Sequence, residues 1–195
     1  MHTDFEELSE ALLNESLLLT EASFTTCKRE WFASFAQHFQ SICAAIAKAQ
    51  AESNLPAISN LEYTMLYANM TNRRYIAEVW AFGDKRYLDE SKHMIGEYDI
   101  SFLFDHFDAL WDKLLVQRKR YVGKVSSQEV TSFMIEAIPK FYSYLVSIAR
   151  FAIIDCVEEK PFIDIMKNDV FKVRVGDYMA KTEPVFTQKK NKNVE

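Results

Sequence analysis

One apolar stretch, Ser59 to Gly83, refuses a helical reading and so constrains the fold more than any other part of the chain. Placed on a helix at about 100° per residue, its polar residues Glu62, Thr64, Asn69, Thr71, Arg74 and Glu78 scatter around the whole wheel and leave no dry face. Two extended runs rich in tyrosine, threonine, valine and tryptophan fit better: Leu61 to Ala68 and Tyr75 to Phe82, joined by the polar Asn69-Met70-Thr71-Asn72-Arg73. β-branched and aromatic residues suit a pleated surface, so the stretch reads as an antiparallel hairpin. The flanking segments carry helical patterns, which makes this hairpin the sheet on which they pack.

Before the hairpin, Thr3-Asp4-Phe5-Glu6 matches a capping box, in which Thr3 accepts from the backbone and Glu6 returns the bond. Phe5, Leu8, Leu12 and Leu19 follow on one stripe, with Leu13 and Leu17 off it. A second helical pattern from about Phe24 to Ala51 gathers Phe24, Trp31, Phe32, Phe35, Phe39, Ile42, Cys43 and Ile46 on one side. Pro56 and its polar neighbours then read as a linker.

After Gly83, the polar run Lys85 to Tyr98 reads as a loop that includes at most a short third strand. A helix is expected from Asp99 or Ser101 to Tyr121, burying Phe104, Phe107, Leu110, Trp111 and Leu114, with Gly123 as its left-handed C-terminal residue. Val125, Ser126, Glu129 and Val130 supply a hydrophobic staple and a capping box for the next helix. Its stripe, Val130, Met134, Ile138, Phe141, Leu145, Ile148, Ala152 and Cys156, keeps phase through Pro139, which predicts one kinked helix. A turn of helix around Phe162 to Lys167 and an alternating strand at about 171–175 complete the pattern.

The fold expected is therefore α+β, mainly α, with about four or five helices on a small antiparallel sheet built from the hairpin at about 61–82. The strand at about 171–175 is a candidate addition. At 195 residues one filled core is the prior, giving a single globular domain over 1–186, with 187–195 as a mobile C-terminal tail that has little to bury. A hydrophobic fraction of 49% with 26% charged residues is globular.

The acidic opening lacks a secretory pattern, and no run approaches the roughly 20 uninterrupted apolar residues of a membrane span. A soluble cytoplasmic protein is expected. Cys27, Cys43 and Cys156 are odd in number and lie in apolar patterns, as reduced core thiols do. The acidic excess sits at the front: eight acidic and three basic residues precede Leu61. That disfavours general attraction to nucleic acid or to anionic membrane.

Chemistry is sparse. Gly83, Gly96, Gly123 and Gly176 are the only glycines and stand apart, so no glycine-rich loop can cradle a nucleotide phosphate. Glu90-Ser91-Lys92-His93 matches the Glu-x-x-His spacing of di-iron bundles, but only once and in a segment that reads as a loop. Asp105, Asp108 and Asp112 share a face opposite the apolar stripe and read as solvated surface. His38 sits at the edge of an aromatic stripe without an evident catalytic partner. No cofactor, metal or catalytic residue is assigned. The basic run Gln117 to Tyr121 with Lys124 is a nucleic-acid candidate whose cations also complement a helix C-terminus.

The tyrosines are the remaining signal. Tyr63, Tyr67, Tyr75 and Tyr87 lie in or near the hairpin with Trp80, Arg73 and Arg74. Tyr, Trp and Arg are enriched in interface cores and hot spots. A sheet covered by helices on one face would present these residues on the other; a sheet covered on both faces would bury them. The leading expectation is a non-catalytic interaction or adaptor protein that binds a protein partner, or another copy of itself, through this face. The alternative is an enzyme or small-ligand binder with a pocket between the hairpin and the 99–121 helix, drawing polarity from Arg73, Arg74, His93 and His106. Nucleic-acid binding through 117–124 ranks third.

Overall fold

The computed structural model describes residues 3–88 and 92–190. The chain divides into two compact units. The helical unit comprises residues up to Lys28, Tyr67–Ile76 and Asp99–Tyr144, and the sheet unit comprises Arg29–Leu66, Ala77–Tyr98 and the chain from Leu145 onward.

The first element, α1, is a single helix from Thr3 to Ala51 rather than two. Neither Gly nor Pro occurs between these residues, so nothing forces a break where the stripe drifts in phase. Leu13, one of the two leucines off the first stripe, is buried. Two strands follow, β1 at Ile58–Met65 and β2 at Ile76–Phe82, with the short helix α2, Tyr67–Thr71, inside their connection. They pair antiparallel, with Glu62 opposite Trp80 and Tyr63 opposite Val79, so the expected hairpin is present. Its first strand starts and ends earlier than the sequence suggests, because Tyr67 and Ala68 coil into α2.

Strand β3 spans His93–Asp99. The helix expected from 99 to 121 is a 3-10 turn at Ser101–Leu103, then α3 at Asp105–Gln117, then a second 3-10 turn at Arg118–Tyr121. Gly123 adopts φ +74° just beyond, the left-handed geometry its position predicts. Helix α4 runs from Ser127 to Ile154 without interruption at Pro139. The capping box forms: the Glu129 amide donates to Ser126 Oγ at 3.1 Å, and the Ser126 amide donates to Glu129 Oε2 at 2.8 Å. By length and composition α4 is apolar enough to cross a bilayer, which the sequence reading did not anticipate. Core helices share this property, and Val130, Met134, Ile138, Phe141, Leu145 and Ile148 are buried.

A one-turn helix, α5 at Lys160–Ile163, begins earlier than expected, with Pro161 in its first turn. Strands β4, Lys167–Asp177, and β5, Thr182–Lys189, close the chain. The sheet order is β3-β2-β1-β4-β5. β4 lies parallel to β1, with Tyr63 beside Val175, and β5 is antiparallel to β4. The sheet is thus mixed and five-stranded, larger than the antiparallel core expected from the hairpin. Thr187, Gln188 and Lys189, expected as the start of a mobile tail, pair with Lys172, Phe171 and Val170; residues 191–195 lie outside the described residues.

In the sheet unit, Leu61, Tyr63, Val79, Ala81, Val173 and Val175 share the apolar face. Tyr63 packs on Phe35 of α1 with ring centroids 5.0 Å apart. Phe162 links Phe39, at 6.0 Å, to Phe171, at 5.8 Å.

Candidate functional site

Because side chains alternate along a strand, the second face of the sheet carries Asn60, Glu62 and Thr64 of β1, Glu78, Trp80 and Phe82 of β2, and Lys172 and Arg174 of β4. All eight residues of β1 are buried, so this face is covered as well. The cover is the segment following β2. Ser59 donates from its hydroxyl to Asp84, and Asn168 Nδ2 donates to Ser59 Oγ at 2.8 Å, which pins the segment's start. Arg86, at φ +51°, and Tyr87 then fold back over the strand.

At the centre lies Glu62, 0% exposed. Arg86 grips it with a two-pronged contact, Nε to Oε1 at 2.7 Å and Nη2 to Oε2 at 3.0 Å, and Tyr87 donates its hydroxyl to Oε2 at 2.7 Å. Arg174 stands 3.9 Å away and is itself held by Thr182, whose hydroxyl and carbonyl accept its donors at 2.7 and 2.8 Å. Burying a carboxylate is costly unless it is paired and hydrogen-bonded. Three donors and two guanidinium groups meet that requirement here. The Arg86 guanidinium also lies over the Tyr87 ring, 4.9 Å from its centroid. Burial, followed by the bond to Glu62, pushes the Tyr87 hydroxyl up to about 12. Tyr87 therefore keeps its proton near neutrality and donates it to Glu62 as a hydrogen bond that fastens the segment to the strand.

Around this clasp the aromatic rings form a contiguous patch. Trp80 lies 5.7 Å from Tyr178 and 6.3 Å from Phe82; Tyr87 lies 5.6 Å from Tyr178 and 5.0 Å from Phe82. Trp80, Tyr87 and Tyr178 are half-buried, while Leu88 and Met179 are exposed. The Trp80 indole N–H donates to Glu78 at 3.0 Å.

Of the seven residues singled out in the sequence, only Trp80 and Tyr87 belong to this patch. Tyr63 is fully buried on the opposite face, where its hydroxyl meets His38 Nδ1 at 3.3 Å. It is a core residue, because it sits one position out of phase with Glu62. Tyr67, Arg73, Arg74 and Tyr75 belong to the helical unit. There Tyr75 is buried, stacked on Phe104 at 4.3 Å and bonded to Asp108. Arg73 pairs with Asp108 and Asp112 and lies 5.4 Å from the centre of the Trp111 ring. Tyr67 and Arg74 are exposed. Asp108 and Asp112 are thus not merely solvated: they anchor the end of the hairpin.

Tyr178 escaped the sequence reading. Its only signal was an aromatic residue directly after the Gly176-Asp177 strand end. In the sequence Glu62 stands only as a polar residue within an apolar run.

His38 donates from Nε2 to the Glu97 carbonyl at 3.1 Å and accepts from Tyr63 at Nδ1, an arrangement that suits the neutral ring. Burial lowers its pKa. His106 lies 3.0 Å from the Ser23 hydroxyl. His93 is exposed on β3, and Glu90, its partner in the Glu-x-x-His spacing, lies outside the described residues. Within the helical unit Tyr75 packs on Phe104 and Arg73 lies over Trp111; three cavities elsewhere take no lining from residues 61–82. Arg118 of the basic run is half-buried, with an Nε that makes no hydrogen bond.

Comparison of the chain with protein-family models, with curated proteins and with solved structures gave no match in any of the three.

Proposed function

We propose that this chain is a non-catalytic interaction protein that docks a protein partner on the outer face of its sheet, around Trp80, Tyr87 and Tyr178. One observation carries the reading. Three half-buried large aromatics and the exposed Met179 and Leu88 surround a buried carboxylate whose charge is already met by Arg86. Such a patch offers apolar area that is pre-ordered, because the rings are held by one another and by the Glu62 clasp. Rigid aromatic anchors lose little freedom on binding, which is why Trp and Tyr dominate hot spots. The locked charges favour a partner recognised by shape and apolar burial over a substrate undergoing acid–base chemistry.

The test is site-specific photocrosslinking from position 179 in the full chain within its native lysate, with position 37 on the exposed side of α1 as control. The expected result is a discrete crosslinked protein, this chain or another, that is seen from 179, absent from 37, and lost in the Trp80→Ala/Tyr178→Ala variant. Crosslinks of equal yield and identity from both positions, or none from 179, would overturn the reading. Circular dichroism of the double variant separates loss of the patch from loss of the fold.

A further inference from the structure

A second feature lies elsewhere in the sheet unit, where the ends of β4 and β5 meet α5. A cavity of about 480 Å³ opens there, within the roughly 300–1,000 Å³ range of small-molecule sites. Its apolar side is formed by Ile163, Ile165, Met166 and Phe171. Ile163 and Met166 are 61% and 49% exposed, so these side chains face water without cover. Its polar side carries Lys167, Lys189 and Lys190, and no carboxylate lines it among the described residues.

The three cations are not equivalent. Lys167 is half-buried, with its Nζ donating to the carbonyls of Phe162 and Ile165 and lying 4.1 Å from the Phe162 ring centre. An ammonium has three donors, and these two carbonyls leave one for a further acceptor. Burial lowers the Lys167 pKa, Cys43 and the Asp164 carboxylate oppose that shift, and the nearby charge of Lys190 adds to it more weakly. An anion placed in the cavity would pair with these cations, offsetting their mutual repulsion and favouring the charged form of Lys167. Apolar side chains and lysines line one opening, so together they select for a molecule with both characters.

We propose that this cavity binds a small anionic amphiphile, a molecule with a carboxylate or phosphate head and a short hydrocarbon body. The head contacts Lys167, Lys189 and Lys190, and the body covers the exposed Ile163 and Met166. The site is independent of the aromatic patch, and its test does not involve that surface.

Calorimetric titration of the full chain with decanoate, below its micelle concentration, is the measurement. Decanol and decyltrimethylammonium serve as uncharged and cationic probes of the same body. Decanoate is expected to bind, and to weaken at least about tenfold in Lys189→Glu/Lys190→Glu, since two attractive charges become repulsive a few Å from the head. Raising salt should weaken it too. Ile163→Asp should abolish binding from the apolar side, and an unchanged circular dichroism spectrum shows that both variants fold. In the wild type, NMR titration of the Lys167 side chain should move upward in pH when decanoate is bound. Equal binding of all three probes, decanoate affinity unchanged in the lysine variant, or no decanoate binding would each overturn the proposal. So would binding confined to vesicles of phosphatidylglycerol, which would make the lysines a lipid-surface contact.

Discussion

Replacing Arg86 with alanine tests the claim that a buried carboxylate organises the outer face of the sheet. The Glu62 side chain is 0% exposed and that of Arg86 31%. The substitution removes two charge-assisted hydrogen bonds at 2.7 and 3.0 Å while leaving the acid in place. Breaking a buried pair from one side costs about 3–5 kcal/mol. Three features reduce that figure: Arg86 is partly solvated, Tyr87 still donates to the acid, and Arg174 remains 3.9 Å away. The expected loss is about 2–3 kcal/mol, which for a chain of this length corresponds to a fall of about 5–10 °C in Tm. Urea unfolding followed by far-UV circular dichroism provides the measurement, with the midpoint falling at constant slope. Arg86→Lys should recover part of the loss, since an ammonium supplies charge without the planar fork. A double-mutant cycle with Glu62→Gln should give a coupling of at least about 1.5 kcal/mol. The half-exposed pair Arg150–Glu183 is the internal control, worth about 0.2–1 kcal/mol at most. If Arg86→Ala costs no more than Arg150→Ala, the clasp contributes little and the account of the outer face fails.

Further outcomes follow from burial and backbone geometry. His38 is held below its ordinary pKa of about 6.5 by burial, so between its folded value and 6.5 the unfolded chain binds the extra proton. Stability contributed by His38 is complete above pH 6.5 and declines as the pH falls through its folded pKa; His38→Gln should therefore show a smaller drop in urea midpoint between pH 7.5 and pH 5.5 than the wild type. Burial pushes the Cys43 thiol up to about 12 and also raises that of Cys156, so both should resist a thiolate-directed reagent in the native protein and react once urea unfolds it. Their immediate labelling in the folded state would contradict the core described here. At Gly176 a Cβ would stand 2.3 Å from the Lys181 carbonyl oxygen and 2.6 Å from the Thr182 Cα. Because the obstacle is backbone, Gly176→Ala should lower stability by about 2–3 kcal/mol, measured by urea unfolding, whereas wild-type stability would mean the β4–β5 turn can shift at little cost.

Much of the fold was legible from neighbouring residues alone. The hairpin followed from β-branched and aromatic runs whose polar residues fit no helical face, the start of α4 from Ser126 and Glu129, and the end of the preceding helix from Gly123. The passage of α4 through Pro139 followed from the phase of its stripe. Each signal acts within a few positions, where side-chain spacing and backbone preference are fixed by covalent geometry. The continuity of α1 is not legible in the same way, because a drift in the apolar stripe resembles a break. The candidate site lay beyond such signals. Whether Tyr63 or Glu62 faces the helices depends on register, and a shift of one residue exchanges the faces of the whole strand. That register is set by Val79, Val175 and Phe35, which adjoin Tyr63 only in three dimensions. Likewise, the sequence showed Glu62, Arg86, Arg174 and Tyr178 as separate polar and aromatic positions. Only the parallel pairing of β1 with β4, and the return of the 84–88 segment over the sheet, made one a buried acid, two its counterions and the last part of an aromatic patch. The energy that selects this pairing comes from burial across the assembled sheet, a non-local quantity carried by no single stretch of the chain.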